Sequence, residues 1–153
     1  MAAVAAFGQH TFDDVTVGEL SSAADVTTGA LYHHFGSKLG LYEFVRADVE
    51  RRLIDRMAGA VAASGADRSA AIHAALLVGF DFAVGEQFLR ILGAPPAGSD
   101  GDRLAELLGQ AAASPVLGQV LAAAWRAALI ATADGTDPGD ARAALASLTV
   151  RLP

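Results

Sequence analysis

Small polar side chains and one tyrosine cluster between Thr27 and Lys38, and their types suggest hydrogen-bonding chemistry. Hydroxyl groups in the first turn of a helix can reach a phosphate or a base edge, and a neighbouring glycine lets the backbone approach closely. A tyrosine O–H and a lysine at the start of the next helix can each hold a phosphate. A short exposed helix with these side chains suits the major groove of DNA. The candidate set is Thr16, Thr27, Thr28, Gly29, Tyr32, His33 and Lys38.

Two short helices joined by a tight turn must position these residues, and a cap marks the start of the first. Residues 16–19 read Thr-Val-Gly-Glu, which is a capping box: the threonine hydroxyl accepts a helix N–H and the glutamate reaches back to the cap. This helix is predicted to begin at Val17 and to end near Ala24. Asp25 tolerates a positive φ and fits the turn.

The second helix is predicted to begin after its cap, Thr27, and to run through Phe35. Gly36 then ends it, and Ser37 caps a third helix. Four apolar residues have spacings that let the first two helices close on each other, namely Leu20, Val26, Leu31 and Phe35. His33 and His34 point about 100° apart on a helix, so they cannot chelate one metal ion as an i, i+4 pair would. We expect one of them to face DNA and the other the domain core.

The run that carries this pattern is T-V-x-E-L-x-x-A-A-x-V-T-x-G-A-L-Y-H-H-F-x-S-K-x-x-L, with the specific core G-x-L-Y-x-H-F-x-S-K. It resembles the helix-turn-helix signature of TetR-type transcriptional repressors over roughly residues 2–45. One departure is Asp25, where the family usually has glycine. The resemblance implies a DNA-binding domain over residues 1–46 and a helical effector-binding and dimerisation domain over residues 47–153. The family's first helix is longer and begins with basic residues, whereas the helix predicted over residues 1–8 corresponds to its second part. Either the translation start lies further upstream, or the protein lacks that first turn, and both interpretations stay open.

Composition predicts an all-α protein. Ala, Leu, Arg and Glu favour helix, and β-branched residues are sparse. The absence of cysteine excludes disulfides and thiolate zinc sites and fits the cytoplasm. The chain shows no signal-peptide pattern and no uninterrupted apolar run of about 20 residues, so no membrane span is expected. Neither a glycine-rich phosphate loop nor an H-E-x-x-H or G-x-S-x-G motif is present, so we expect no enzymatic activity, catalytic residue, metal or cofactor.

The net charge of the predicted DNA-binding domain does not favour binding to DNA. The whole chain has a formal net charge of −6. Residues 1–56 carry five basic and eight acidic side chains, a balance of −3. This balance argues against loose, charge-driven binding to nucleic acid.

Helical patterns continue to the end of the chain. The predicted helices cover residues 37–63, 67–92, 102–113, 115–133 and 138–150, and a Gly/Pro-rich loop covers residues 93–101. By position, the last two helices correspond to the dimer interface of the TetR family. Their apolar positions are Val116, Leu117, Val120, Leu121, Trp125, Leu129, Ile130, Ala141, Ala144, Leu145 and Leu148. The same pattern would also suit packing within one chain, and both interpretations stay open.

The resemblance also implies an effector pocket in the larger domain. Its candidate lining residues are His73, Phe80, Asp81, Phe88 and Trp125. His73 and Asp81 would supply the few polar contacts that such pockets use. The alternative is a hydrogen-bonded core histidine and an aspartate that faces solvent.

These features favour a ligand-responsive repressor that binds palindromic double-stranded operator DNA as a homodimer and responds to a small-molecule effector. The alternative is a helical ligand-binding or interaction dimer that has lost DNA binding, which the short first helix and the acidic balance of residues 1–56 motivate.

Overall fold

The computed structural model describes residues 2–96 and 101–150, and this part of the chain is helical throughout. Its helices are α1 (Ala2–Gln9), α2 (Val17–Ala23), α3 (Thr28–Phe35), α4 (Lys38–Ala63), α5 (Arg68–Gly85), α6 (Leu89–Gly93), α7 (Arg103–Ala112), α8 (Pro115–Ala133) and α9 (Pro138–Ala146). The prediction of an all-α protein is therefore confirmed.

Helix starts follow the capping residues closely. The side chain of each cap accepts a backbone N–H from the first turn of its helix, which satisfies a donor that the helix itself leaves free. These caps are Thr16, Thr27, Ser37, Asp67, Asp102, Ser114 and Asp137. Pro115 and Pro138 occupy the first turns of their helices, where the missing N–H costs nothing.

The prediction of one helix over residues 67–92 is wrong, because α5 ends at Gly85 and α6 begins at Leu89. Between them Gln87 adopts a positive φ of 60°. The turn packs against α1 so closely that a Cβ added to Gly8 would lie 2.2 Å from the carbonyl oxygen of Gln87. A straight helix could not place both the Gln87 carbonyl and the α6 side chains against α1.

The last helix is shorter than predicted, since α9 ends at Ala146 rather than near Val150. Its terminal carbonyl, that of Ala146, lies 2.7 Å from Nε2 of His73 on α5. The predicted loop over residues 93–101 also begins later, because Gly93 belongs to α6, and residues 97–100 lie outside the described part.

A continuous apolar core joins the two ends of the chain, from Val4 and Phe7 in α1 to Leu145 in α9. Trp125 of α8 lies at its centre with no exposed surface, and its indole N–H donates to the carbonyl of Leu76 at 3.1 Å. This bond satisfies the one polar atom of a large buried side chain. Helices α7 and α8 approach especially closely, because Gly118 faces the backbone of α7.

Two of the described helices, α5 and α8, have the length and apolar composition of a membrane span. In this fold each packs one face into the core, where Phe80 of α5 and Trp125 of α8 are buried. Their hydropathy is that of core helices.

Candidate nucleic-acid interface

Helices α2 and α3 form a helix-turn-helix whose first helix begins with a complete capping box. The backbone N–H of Thr16 donates to the Glu19 carboxylate at 2.9 Å, and the Glu19 N–H donates to the Thr16 hydroxyl at 3.2 Å. Hydrogen bonds from the backbone and then from the hydroxyl of Thr16 hold the pKa of the Glu19 carboxyl below its ordinary value. In the turn, Asp25 adopts a φ of 54°, as predicted for this residue in place of glycine.

The outer face of α3 carries most of the predicted contact set. The five residues concerned are all exposed, namely Thr27, Thr28, Gly29, Tyr32 and His33. Tyr32 exposes 49% of its surface, and its ring stands on the side of α3 away from the core. Thr16 is also exposed, at the start of α2. The structure therefore gathers hydroxyl groups and a phenol on one short, accessible helix and at one neighbouring helix start.

Two expectations for this domain are wrong. Val26 does not close the two helices on each other, because it lies in the turn and exposes 43% of its surface. The other three residues of this prediction do face inward: Leu20 is buried, and Leu31 and Phe35 are partly buried and pack against the core. His34 does not face the core, because α3 packs along the stripe of Leu31 and Phe35, which leaves His34 exposed with its ring 5.6 Å from that of His33.

Lys38 differs from the other predicted contacts because its ammonium points into the domain. Nζ donates to the carbonyl of Phe12 at 2.7 Å and to that of Val15 at 2.9 Å. It also lies 4.2 Å from the centroid of the Phe12 ring. The outward-facing ammonium expected from the sequence is therefore not what the structure shows.

The residues predicted to line an effector pocket lie in the core or at the contact between α5 and α9. Phe80, Phe88 and Trp125 are buried side chains of the core. His73 meets the end of α9, and the exposed carboxylate of Asp81 accepts two hydrogen bonds from Arg142, at 2.7 and 3.0 Å. Both polar groups therefore join α5 to α9, which agrees with the alternative interpretation of these residues.

Four of the surface cavities that the described residues form have volumes of about 180 to 480 Å³. None of these four is lined by the five predicted ligand residues. Within residues 2–96 and 101–150, His, Asp and Glu side chains form no group of three that could hold a metal ion.

The predicted dimer-interface residues divide between the core and the surface. Leu121, Trp125 and Leu129 face the core of their own chain. Val116 and Val120 are 69% and 58% exposed on the opposite face of α8. Beside them, a cavity of about 300 Å³ between α8 and α9 is lined mainly by small apolar side chains, namely Ala124, Ala128, Ala131, Ala141, Ala144, Leu145 and Leu148. The i, i+4 spacing of Val116 and Val120 indicates in the sequence that they share one face of α8, but it does not indicate that this face is exposed.

Comparison with protein families assigns the N-terminal part of this fold. Residues 1–45, which include α1, the helix-turn-helix and the start of α4, match the family described as bacterial regulatory proteins, tetR family. The comparison with curated proteins gives no match. The matched segment contains the capping box, the turn at Asp25 and the exposed face of α3. Residues 1–45 therefore form an N-terminal helix-turn-helix domain of the TetR family, which supports a DNA-binding transcriptional regulator.

Proposed function

We propose that the protein is a ligand-responsive repressor that binds a palindromic operator as a homodimer in the cytoplasm. The observation that carries the DNA-binding part is the outer face of α3, where exposed hydroxyls and the Tyr32 phenol project from a short capped helix. Backbone N–H groups at the start of α3 add donors for phosphate. Because the domain is small, one copy can cover only a half-site.

The proposed operator contacts are the exposed side chains of Thr16, Thr27, Thr28, Tyr32 and His33, together with the backbone at Gly29. Hydroxyl groups in the first turn of α3 suit base edges and phosphates, and Tyr32 suits a phosphate or a sugar. At the start of α4, the N-terminal backbone of Lys38 can approach a phosphate even though the ammonium points inward.

Dimerisation is proposed through α8 and α9. The exposed valines of α8 and the adjoining alanine-rich cavity form an apolar surface that a second copy would cover. A two-fold dimer would bring two α3 helices to successive major grooves, about 34–36 Å apart. This geometry is the reason for expecting a palindromic operator.

The effector would act by binding the DNA-competent and DNA-incompetent dimers with different affinity, since only differential affinity shifts such an equilibrium. In the predicted set of ligand residues, His73 and Asp81 contact α9 within the chain, and these contacts do not indicate a ligand class. The effector is therefore proposed only as a small molecule.

A mobility-shift assay with fragments from upstream of its own gene tests the proposal. We expect sequence-specific complexes that a small-molecule inducer dissociates. Complexes that form equally on unrelated DNA, or no complexes at all, would contradict it.

The second candidate is a helical ligand-binding or interaction dimer that has lost DNA binding. The balance of −3 over residues 1–56 and the inward Lys38 ammonium favour it. Two results together would support it. The Tyr32→Ala variant would bind DNA with the same affinity as the wild type, and a ligand would raise the melting temperature of the wild type and of the variant alike.

A further inference from the structure

Lys38 connects two parts of the DNA-binding domain that are far apart in sequence. Its ammonium is hydrogen-bonded to the carbonyls of Phe12 and Val15, which lie 26 and 23 residues earlier. The ring of Phe12 lies under the same ammonium and in turn contacts the rings of Phe7 and Tyr42. Two charge-assisted hydrogen bonds and a cation–π contact therefore attach the start of α4 to the segment between α1 and α2.

That segment leads directly into the helix-turn-helix. Thr16, the cap of α2, follows Val15, whose carbonyl Lys38 holds. A shift of the Val15 carbonyl would move the capping box, and α2 would move with it relative to α4. Since α3 packs on both α2 and α4, the Lys38 ammonium stands where it can set the angle of α3 to the rest of the domain.

The other basic side chains of the first 56 residues also contact groups within the chain, although those of Arg51 and Arg52 do so at the surface. The guanidinium of Arg46 donates to the carbonyl of Ala94 at 2.7 Å and to the Tyr42 hydroxyl at 3.3 Å. Arg51 and Arg52 both pair with Asp48. The Arg56 guanidinium lies 4.5 Å from the centroid of the Phe82 ring. All five Lys and Arg side chains in residues 2–56 thus have partners within the chain.

We propose that Lys38 is a positioning residue for operator binding, which acts by holding the start of α2 against α4 and not by contacting a phosphate. This proposal rests on the proposed operator binding by α3. It implies that the operator is held mainly by neutral hydroxyls and by backbone N–H groups of helix starts. Operator affinity then depends on Lys38 through geometry, and Lys38 adds nothing to its salt dependence.

The salt dependence of operator affinity distinguishes a lysine that contacts a phosphate from a lysine that only positions other groups. A lysine that neutralises a phosphate releases a counterion, so its removal reduces the slope of log K against log salt by about 0.9. A lysine that only positions other groups leaves that slope unchanged when it is removed, although the affinity falls.

The test measures operator affinity by fluorescence anisotropy across a salt series, well below the melting temperature, for wild type, Lys38→Met and Lys38→Arg. We expect Lys38→Met to weaken binding at least tenfold with the wild-type slope. Lys38→Arg should recover little of the operator affinity, because a planar guanidinium does not fit between two carbonyls on the Phe12 ring as an ammonium does. Arg68→Met, at the exposed start of α5, is the control for loss of one positive charge and should match the wild type.

A slope that falls by about 0.9 per subunit in Lys38→Met, or full rescue by arginine, would assign Lys38 to a phosphate and overturn the proposal. Phe12→Leu provides a second variant that keeps the lysine charge. We expect it also to weaken binding without a change in slope, and unchanged affinity would contradict the positioning role.

Amide hydrogen exchange of the free protein tests the positioning without DNA. We expect faster exchange in α2 of Lys38→Met than in α2 of the wild type, with α8 unchanged as an internal reference. Unaltered exchange in α2 would overturn the proposal. If the wild type itself binds no operator, the proposed function fails, whereas the exchange result still decides whether Lys38 holds α2.

Discussion

The guanidinium of Arg126 donates to both carboxylate oxygens of Asp102, each at 2.7 Å. Arg126 is only 9% exposed in the middle of α8, and Asp102 caps α7, so the pair joins two neighbouring helices below the surface. Burial raises the pKa of the Asp102 carboxyl, but the hydrogen bonds from Arg126 and from the Ala105 N–H outweigh it and leave that pKa below its ordinary value.

Asp102→Asn should destabilise the protein, because it leaves the Arg126 charge buried without its partner. Asparagine is also a good helix cap, so the substitution isolates the ion pair from the cap. We expect a loss of about 3 kcal/mol in the free energy of unfolding, at the low end for a buried pair, since Asp102 is partly exposed. Asp137→Asn, at the exposed cap of α9, is the control and should change stability little in urea denaturation at pH 7.

The same pair predicts a specific response to acid. A carboxyl whose pKa is lower in the folded state contributes stability above its unfolded value, about 3.9 for aspartate, and loses it as the pH falls through the folded value. The stability difference between wild type and Asp102→Asn should therefore shrink as the pH falls below about 4. Urea titrations between neutral and acid pH measure it. A difference that stays constant over this range would exclude ionised Asp102 as its source.

Gly118→Ala tests the close approach of α7 and α8. A Cβ at this position would lie 2.2 Å from the Ala105 carbonyl oxygen and 2.5 Å from the backbone nitrogen of Gly109. Because backbone atoms cannot swing aside as side chains do, we expect the two helices to separate and the protein to lose about 1–3 kcal/mol or more of stability. Gly59→Ala, in α4 with open space around it, should instead stabilise by about 0.5–1 kcal/mol. Equal effects of the two substitutions in thermal unfolding would contradict this packing.

Val120→Glu tests the proposed dimer surface. Two-fold symmetry would bury the new carboxylate in both subunits without a partner, and such burial costs several kcal/mol. We expect the dimer dissociation constant, measured by analytical ultracentrifugation, to rise about 100-fold or more. Val78→Glu, at a 40% exposed position on α5, is the control and should leave the dimer intact. A Val120→Glu protein that dimerises as the wild type does would move the interface away from this face of α8.

Tyr32→Phe tests the outer face of α3 with the loss of a single hydroxyl. The ring remains, so the fold should be unaffected, while a hydrogen bond to a charged phosphate is worth about 1.5–3 kcal/mol. We expect operator affinity to fall by about tenfold or more per subunit. Anisotropy titrations with operator and with unrelated DNA of the same length provide the measurement and its reference. If affinity for both is unchanged, Tyr32 does not contact the operator.

Local chemistry made the start of each helix predictable from sequence. Thr16, Thr27 and Ser37 each combine a side-chain acceptor with a following helix pattern, and each proves to be a cap. The positive φ at Asp25 follows from the same kind of argument, because the residue type itself permits it. These features depend on residues within about one helical turn of each other, so the sequence around them contains the necessary information.

The turn at Gln87 and the directions of the Lys38 and His73 side chains could not be predicted, because they depend on contacts between residues far apart in sequence. No residue type marks the turn at Gln87, whose place depends on the fit to Gly8 almost 80 residues earlier. The directions of Lys38 and His73 likewise depend on carbonyl groups that only the folded chain brings near. A long polar side chain can satisfy itself inward or outward at similar local cost, so the helical pattern around it does not indicate the direction.

The contact between Gly8 and Gln87 limits how the N-terminal domain of this protein can be exchanged for that of another. The family match ends at residue 45, which suggests a natural point for exchanging DNA-binding domains between proteins. A chimera cut there would place a foreign first helix against the Gln87 turn, or α1 against a foreign turn, and any residue other than glycine at position 8 would collide with the Gln87 carbonyl. Helix α1 would also lose its contacts with α6. A functional graft therefore has to carry the Glu86–Phe88 turn and α6 together with the helix-turn-helix, although these segments are distant in sequence.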